Sequence, residues 1–218
     1  MQTIRRSLFS ILALAASFWA TLAIAQTQPP SPSSPSGGSP ITAPQTHRQT
    51  TKRTVSVDGA PSTLTRYERR DGRNTGLGGE HFSTLIGADG RLKGFAYLTL
   101  DGAGKPLPSR ERSEQIARAF LREFAPDLLP SMRISCIAPH TESVRVRRAG
   151  GDTAAQLTGM RVKARNTSDG SWFWVTIGAD ETPILFERDL QWSNIRMRRT
   201  TEEWLYDRWL REHAARAQ

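Results

Sequence analysis

One cysteine among 218 residues leaves no partner for an intrachain disulfide, so the fold has to stand on its hydrophobic core. Histidine is also scarce. His47, His81, His140 and His213 are scattered, with no His-Glu-x-x-His pair and no Cys/His cluster, so no metal is expected. No Gly-x-Ser-x-Gly elbow occurs, and Gly76-Leu77-Gly78-Gly79 fits neither phosphate-cradling spacing. Nothing in the pattern therefore calls for a cofactor or a nucleophilic serine. Long apolar runs are missing as well, apart from one at the start of the chain.

That run sets the compartment. Arg5 and Arg6 precede Leu8 to Ala25, an almost unbroken apolar stretch closed by Ala23-Ile24-Ala25, small residues of the kind a signal peptidase reads. Residues 1–25 are expected to be a signal peptide cleaved before Gln26, leaving a periplasmic or secreted chain without a membrane span. Ser10, Ser17 and Thr21 weaken the stretch as a permanent anchor. Arg5-Arg6 followed by Ser7-Leu8-Phe9 hints at twin-arginine export. No cysteine follows the run, so lipid attachment there is excluded.

From Gln26 to about residue 50 the chain turns to Pro, Ser, Thr, Gly and Gln, which cannot bury enough apolar area to offset chain entropy. A disordered linker is expected over 26–50, and a single domain over 51–218. Its first part reads as antiparallel strands: Thr54–Val57 and Thr63–Tyr67 around Asp58-Gly59, then His81–Ile86 and Arg91–Leu100 around Ala88-Asp89-Gly90.

An amphipathic helix follows over Ser109–Ala125. Ile116, Ala117, Phe120, Leu121 and Phe124 share one side, Ser109 can cap the start, and Pro126 stops the end. Further strands are expected at Met132–Ile137, Ser143–Arg147, Leu157–Arg165, Ser171–Ile177 and Ile184–Trp192. Alternation puts Cys136 beside Met132 and Ile134 as a buried small hydrophobe. Thr200-Thr201-Glu202-Glu203 reads as a capping box for a C-terminal helix carrying Trp204, Leu205, Tyr206, Trp209 and Leu210. The tail from Arg211 to Gln218 is expected to fray. The fold class is α+β: an antiparallel meander sheet, one amphipathic helix packed across it, and a C-terminal helix.

Positive charge is abundant. The net is +9, or +7 once Arg5 and Arg6 leave with the leader. Arg145 and Arg147 flank Val146, while Arg161, Lys163 and Arg165 flank Val162 and Ala164, so each strand has a basic and an apolar side. Such a stripe suits anionic polymer or a lipid surface, and export makes nucleic acid an unexpected partner. A solvated face that discourages edge pairing accounts for the same charges. Trp172 and Trp174 depend on register. If Arg165 pairs with Ser171, the tryptophans join Val162 and Ala164 in the core, as their density favours. If Arg165 pairs with Trp172, they join the arginines in a cation–π surface. Trp204 and Trp209 either dock on the sheet's second face or form an aromatic edge for a partner.

The stretch PSRERSEQIARAFLREFAP, with the strands of LTGMRVKARNTSDGSWFWVTIGADETPILFERDLQW after it, resembles the PepSY and related propeptide-type modules of exported bacterial proteins. The resemblance spans Pro108 to about Trp192 and carries no catalytic motif. It implies a helix across a cystatin-like sheet and a non-catalytic role: peptidase inhibition, folding assistance or control of an envelope enzyme. The expected partner is an envelope or secreted protein. Two alternatives stand beside it. One is a binder of anionic envelope polymer through Arg145, Arg147, Arg161, Lys163, Arg165, Trp172 and Trp174. The other is a small envelope hydrolase using Glu80 and His81 as acid and base.

Overall fold

The structure, a computed structural model, describes residues 39–213 except 194 and 196, so the leader, the first part of the linker and the tail 214–218 lie outside it. The first hairpin is β1 (His47–Val57) and β2 (Ala60–Arg69). Asp58 and Gly59 both take positive φ (47° and 82°), the two-residue turn whose twist matches that of the strands it joins. The second hairpin is β3 (His81–Gly87) and β4 (Leu92–Leu98). Strand structure begins earlier than composition suggests. Ile41 and Ala43 pack against the helix-side core, and β1 starts at His47.

Helix α1 (Arg110–Phe124) follows with its N-terminus capped as expected, since the Ser109 hydroxyl accepts the Arg112 N–H. It crosses one face of the sheet and delivers the chain to β5 (Met132–Val146) at the far edge. From there β6 (Thr153–Asn166), β7 (Trp172–Ile177) and β8 (Pro183–Leu190) walk back to the centre. The result is an eight-stranded antiparallel sheet of order β1-β2-β3-β4-β8-β7-β6-β5, two four-stranded meanders joined where β4 meets β8.

Gly94 sits at that junction. A Cβ there would fall 2.6 Å from the Phe186 carbonyl oxygen and 2.7 Å from a Leu205 methyl. Gly94→Ala is therefore expected to cost about 1–3 kcal/mol through overpacking, read as a lowered melting temperature. An unchanged melting temperature would mean that the join has slack.

Two cores lie on opposite faces of the sheet. Under α1, Phe120 packs against Phe95 and Phe186, with ring centroids 5.3 and 5.2 Å apart, and Phe173, Val175, Val162 and Ala164 complete the layer. The other face is covered by the C-terminal segment, where Trp204, Leu205 and Leu210 bury themselves on Val55, Leu64, Leu85, Ala96 and Leu98. Those residues are therefore core, not an edge for a partner.

Three expectations need correction. Met132–Val146 is one strand rather than two, because Pro139 sits on edge strand β5, where its missing N–H breaks no inner ladder. Cys136 is exposed, because a bulge between Ile134 and Cys136 shifts the alternation and hands the inward position to Ile137. The C-terminal helix α2 spans only Asp207–His213. The side chains that read as its capping box bind elsewhere. Thr201 donates to the Asp58 carboxylate at 2.8 Å, and Glu202 accepts the Asp58 N–H at 2.8 Å.

Candidate functional site: a cationic cleft beneath the C-terminal segment

The register between β6 and β7 places Arg165 opposite Trp172 and Lys163 opposite Trp174. The tryptophans therefore share the basic face, while Phe173, Val175 and Ile177 turn to the α1 core. A cation ladder results. Arg161 lies 4.8 Å from the centroid of Trp174, and Lys163 lies 4.4 Å from Trp172 and 5.6 Å from Trp192. Arg165 lies 5.7 Å from Trp172. The two readings of the tryptophans also merge. Trp174 is buried because the C-terminal segment covers it, and Trp172 is half-buried.

That cover is incomplete. Between the C-terminal segment and the β5–β6 hairpin a cleft of about 810 Å³ remains open. Its lining includes His81, Glu142, Arg145, Arg161, Trp192, Arg199, Tyr206, Asp207, Arg208 and Arg211. The Arg145 N–H donates to the Gly78 carbonyl at 2.6 Å, and the Arg147 N–H donates to Asn74 Oδ1 at 3.2 Å. The sheet thus curls until its far edge reaches the loop between β2 and β3. Gly79 allows the contact within that loop, since a Cβ there would overlap the Asn74 carbonyl oxygen.

Buried ion pairs position the cleft wall. Arg66 clamps Asp207 through two hydrogen bonds of 2.7 and 3.0 Å, and Gly78 N–H donates to the same carboxylate. Burial opposes the Asp207 charge, yet His81, cationic at the acid pH where this carboxyl titrates, together with the Arg66 guanidinium and the Gly78 donor, holds it below the usual carboxylate range. His81 sits against this pair, its Nδ1 hydrogen-bonded to Gly79 O at 3.1 Å and 3.7 Å from the Asp207 carboxylate. Burial, reinforced by Arg66, pushes its pKa down to about 4, so the imidazole is neutral near pH 7. A second cluster centres on Glu187, which accepts from Trp174 Nε1 (3.1 Å) and the Tyr206 hydroxyl (2.5 Å) and pairs with Arg199 (2.7 Å). Burial and the Glu187 charge push the Tyr206 phenol well above its usual range.

On the β5–β6 wall, Glu142 bonds His140 at 2.8 Å and stands 3.5 Å from Arg161 Nη2. That Nη2 is buried and has no hydrogen-bond partner. Arg208 and Arg211 are exposed on α2 and pair with no acid among the described residues. The cleft therefore presents guanidinium donors whose capacity is unfilled, a setting for a carboxylate or phosphate.

The residues singled out from sequence fall into three groups. Arg161, Lys163, Arg165, Trp172 and Trp174 form the ladder, with Arg161 alone of these reaching the cleft. Arg145 stands on another part of the cleft wall, bonded to the Thr75 and Leu77 carbonyls. Arg147 is exposed outside it. Glu80 and His81 part company. The Glu80 carboxylate binds Thr99, the Leu100 N–H and Arg73, whereas His81 faces Asp207. Among the described residues no group of three or more His, Cys, Asp or Glu is placed to hold a metal. No helix among them is long and apolar enough to cross a membrane. Sequence reading missed Asp207, Tyr206, Arg208 and Arg211 as site residues; their only local signal was that α2 begins acidic and ends basic.

Comparison with known proteins finds no match to a family model, to a curated protein or to a solved structure.

Proposed function

We propose that this chain is an exported, non-catalytic binding module whose ligand is an anionic polymer of the cell envelope, held in the cationic cleft. One observation carries the reading: five arginines, Arg145, Arg161, Arg199, Arg208 and Arg211, line a cleft whose acids are Glu142, Glu203 and Asp207. Asp207 is already committed to Arg66, and Glu142 to His140 and Arg161. Arg199 is in turn taken by Glu187, and Arg145 by the Thr75 and Leu77 carbonyls, so unfilled donor capacity belongs to Arg161, Arg208 and Arg211. Trp192 at the rim adds an aromatic surface on which a sugar ring can stack.

Catalysis has less support. His81 and Asp207 are each occupied in holding the loop at Gly78 and Gly79, and the Glu80 carboxylate is turned away from His81.

Retention on a heparin-like matrix tests the proposal. The protein should bind at low salt and elute at moderate salt, since ion pairing of this kind is screened. Arg208→Ala with Arg211→Ala should weaken retention roughly tenfold, because each removes a charged hydrogen-bond donor. Both side chains are exposed, so the fold should be unaffected. Absence of retention, retention insensitive to salt, or retention unchanged in the double variant would overturn it. The regulatory reading implied by the PepSY-like resemblance draws support from the helix laid across an antiparallel sheet. It predicts instead a crosslinked protein partner recovered from envelope extracts.

A further inference from the structure

A short hairpin projects beside the cleft, formed by β9 (Trp192–Ser193) and β10 (Arg198–Arg199). It carries apolar side chains where a soluble surface would not place them. Among the described residues four large apolar side chains are exposed, and three of them are here: Trp192 at 46%, Ile195 at 97% and Met197 at 74% exposure. Exposure rises from the paired base toward the tip. Nothing in the fold explains Ile195 or Met197, because neither belongs to either core.

Charge surrounds the tip. Arg198 is exposed on β10, Lys163 lies 5.6 Å from the Trp192 ring, and exposed Arg165 continues the positive strip along β6. Arg199 at the base is turned inward on Glu187, so it anchors the hairpin to the body. The pattern, from base to tip, is buried ion pair, aromatic ring, flanking cations and apolar end. That order matches the layering of a membrane interface, where aromatic rings sit at headgroup depth and cations meet lipid phosphates above an apolar interior. A protein interface is a poorer match. Three side chains on a hairpin with two paired positions fall far short of the roughly 800 Å² per partner that a stable protein interface buries.

We infer that β9 and β10, with Ile195 and Met197 exposed between them, form a membrane-docking element that inserts Ile195 and Met197 into an anionic bilayer surface and places Arg198 and Lys163 against lipid phosphates. This goes beyond the cleft reading and does not depend on it.

The test is co-sedimentation with vesicles of equal parts phosphatidylglycerol and phosphatidylcholine, using the chain from Gln26 onward. That chain retains every described residue and lacks the apolar run of the leader. The parent should partition onto these vesicles, and onto pure phosphatidylcholine at least tenfold more weakly, since each nearby cation contributes to attraction by anionic lipid. Ile195→Ser with Met197→Ser should reduce partitioning onto the anionic vesicles roughly tenfold or more, because the apolar contacts are lost while every cation stays. Its melting temperature should match the parent's, and its heparin retention should be unchanged, which separates this element from the cleft. Equal vesicle binding by parent and double variant would overturn the inference, since charge alone would then suffice. Absence of vesicle binding by the parent would overturn it too, as would a concentration-dependent dimer in the parent that the double variant abolishes, because the tip would then be a self-association surface.

Discussion

Replacing Asp207 by alanine is expected to cost about 3 kcal/mol of folding free energy, read as a fall in the denaturant midpoint at unchanged slope. Arg66 is only 6% exposed, and its two hydrogen bonds to Asp207 hold α2 against β2 across 141 residues of chain. Alanine leaves that guanidinium buried with half its counter-charge gone, and the Gly78 N–H loses its acceptor. Removing one member of a buried pair costs about 3–5 kcal/mol because the other stays desolvated. The lower end is expected because Glu68 still accepts from Arg66 Nε at 2.9 Å. The control is Arg66→Met with Asp207→Leu, which removes both charges and should recover most of the loss, as apolar replacements of buried pairs commonly do. A loss below about 0.5 kcal/mol for Asp207→Ala would put the pair in the class of surface ion pairs and remove it as the anchor of the cleft.

The same anchor links fold to site. The C-terminal segment touches the sheet through Thr201 on Asp58, Trp204 Nε1 on the Ser56 carbonyl, Tyr206 on Glu187 and Asp207 on Arg66. The last two fix the residues just before Arg208, so the cleft's cationic wall stands on polar bonds within an otherwise apolar layer. Apolar packing alone is non-directional and would let the segment slide. The Arg66 guanidinium on β2, the Asp58 carboxylate in the β1–β2 turn and the Glu187 carboxylate on β8 set where the segment lies.

What could be read in advance follows from how local each signal is. Helix α1 was legible because a three-to-four spacing, a serine cap and a closing proline all lie within one stretch, from Ser109 to Pro126. The hairpins were legible because Asp58-Gly59 and Asp89-Gly90 sit between alternating strands. Two of the failures came from local patterns overruled by distant partners. Thr201 and Glu202 match a capping box, yet both are taken by Asp58. Cys136 matches strand alternation, yet a bulge just before it reverses the side it faces. The join of β4 to β8 had no local signal at all, since α1 and three strands lie between them. The cleft was illegible for the same reason: His81, Glu142, Arg161 and Asp207 meet only once the far edge of the sheet reaches the loop after β2. The basic stripe on β6 was visible; that only Arg161 from it would enter a cleft was not.

Acid should reveal how tightly His81 is enclosed. Its pKa falls from 6.5 to about 4 in the fold, so protons bind the unfolded chain first as the pH drops. Above about pH 6.5 the imidazole is neutral in both states and carries no penalty. Between about 6.5 and 4 the unfolded chain takes up a proton that the folded one refuses, and stability falls; below that both are protonated and the loss is complete. A shift of this size corresponds to roughly 3 kcal/mol, spread over that window. The groups facing the ring are the Arg66 guanidinium, which opposes protonation, and the Asp207 and Glu68 carboxylates, which favour it. Asp207 is held below the usual carboxylate range, so its own protonation falls under the window and adds a separate, more acid loss. His47 is lowered as well, by burial and by Arg69, and contributes a second, smaller slope in the same direction. Denaturation of parent and His81→Gln across pH 7 to 4 separates these terms. The variant should start less stable yet lose stability more gently, keeping the slope due to His47 and, toward pH 4, the onset of the loss from carboxyls held low in the fold, such as Asp127 and Asp207. Parallel curves would mean that the folded protein admits a proton at His81, and that the imidazole stands open to the cleft rather than sealed against Arg66.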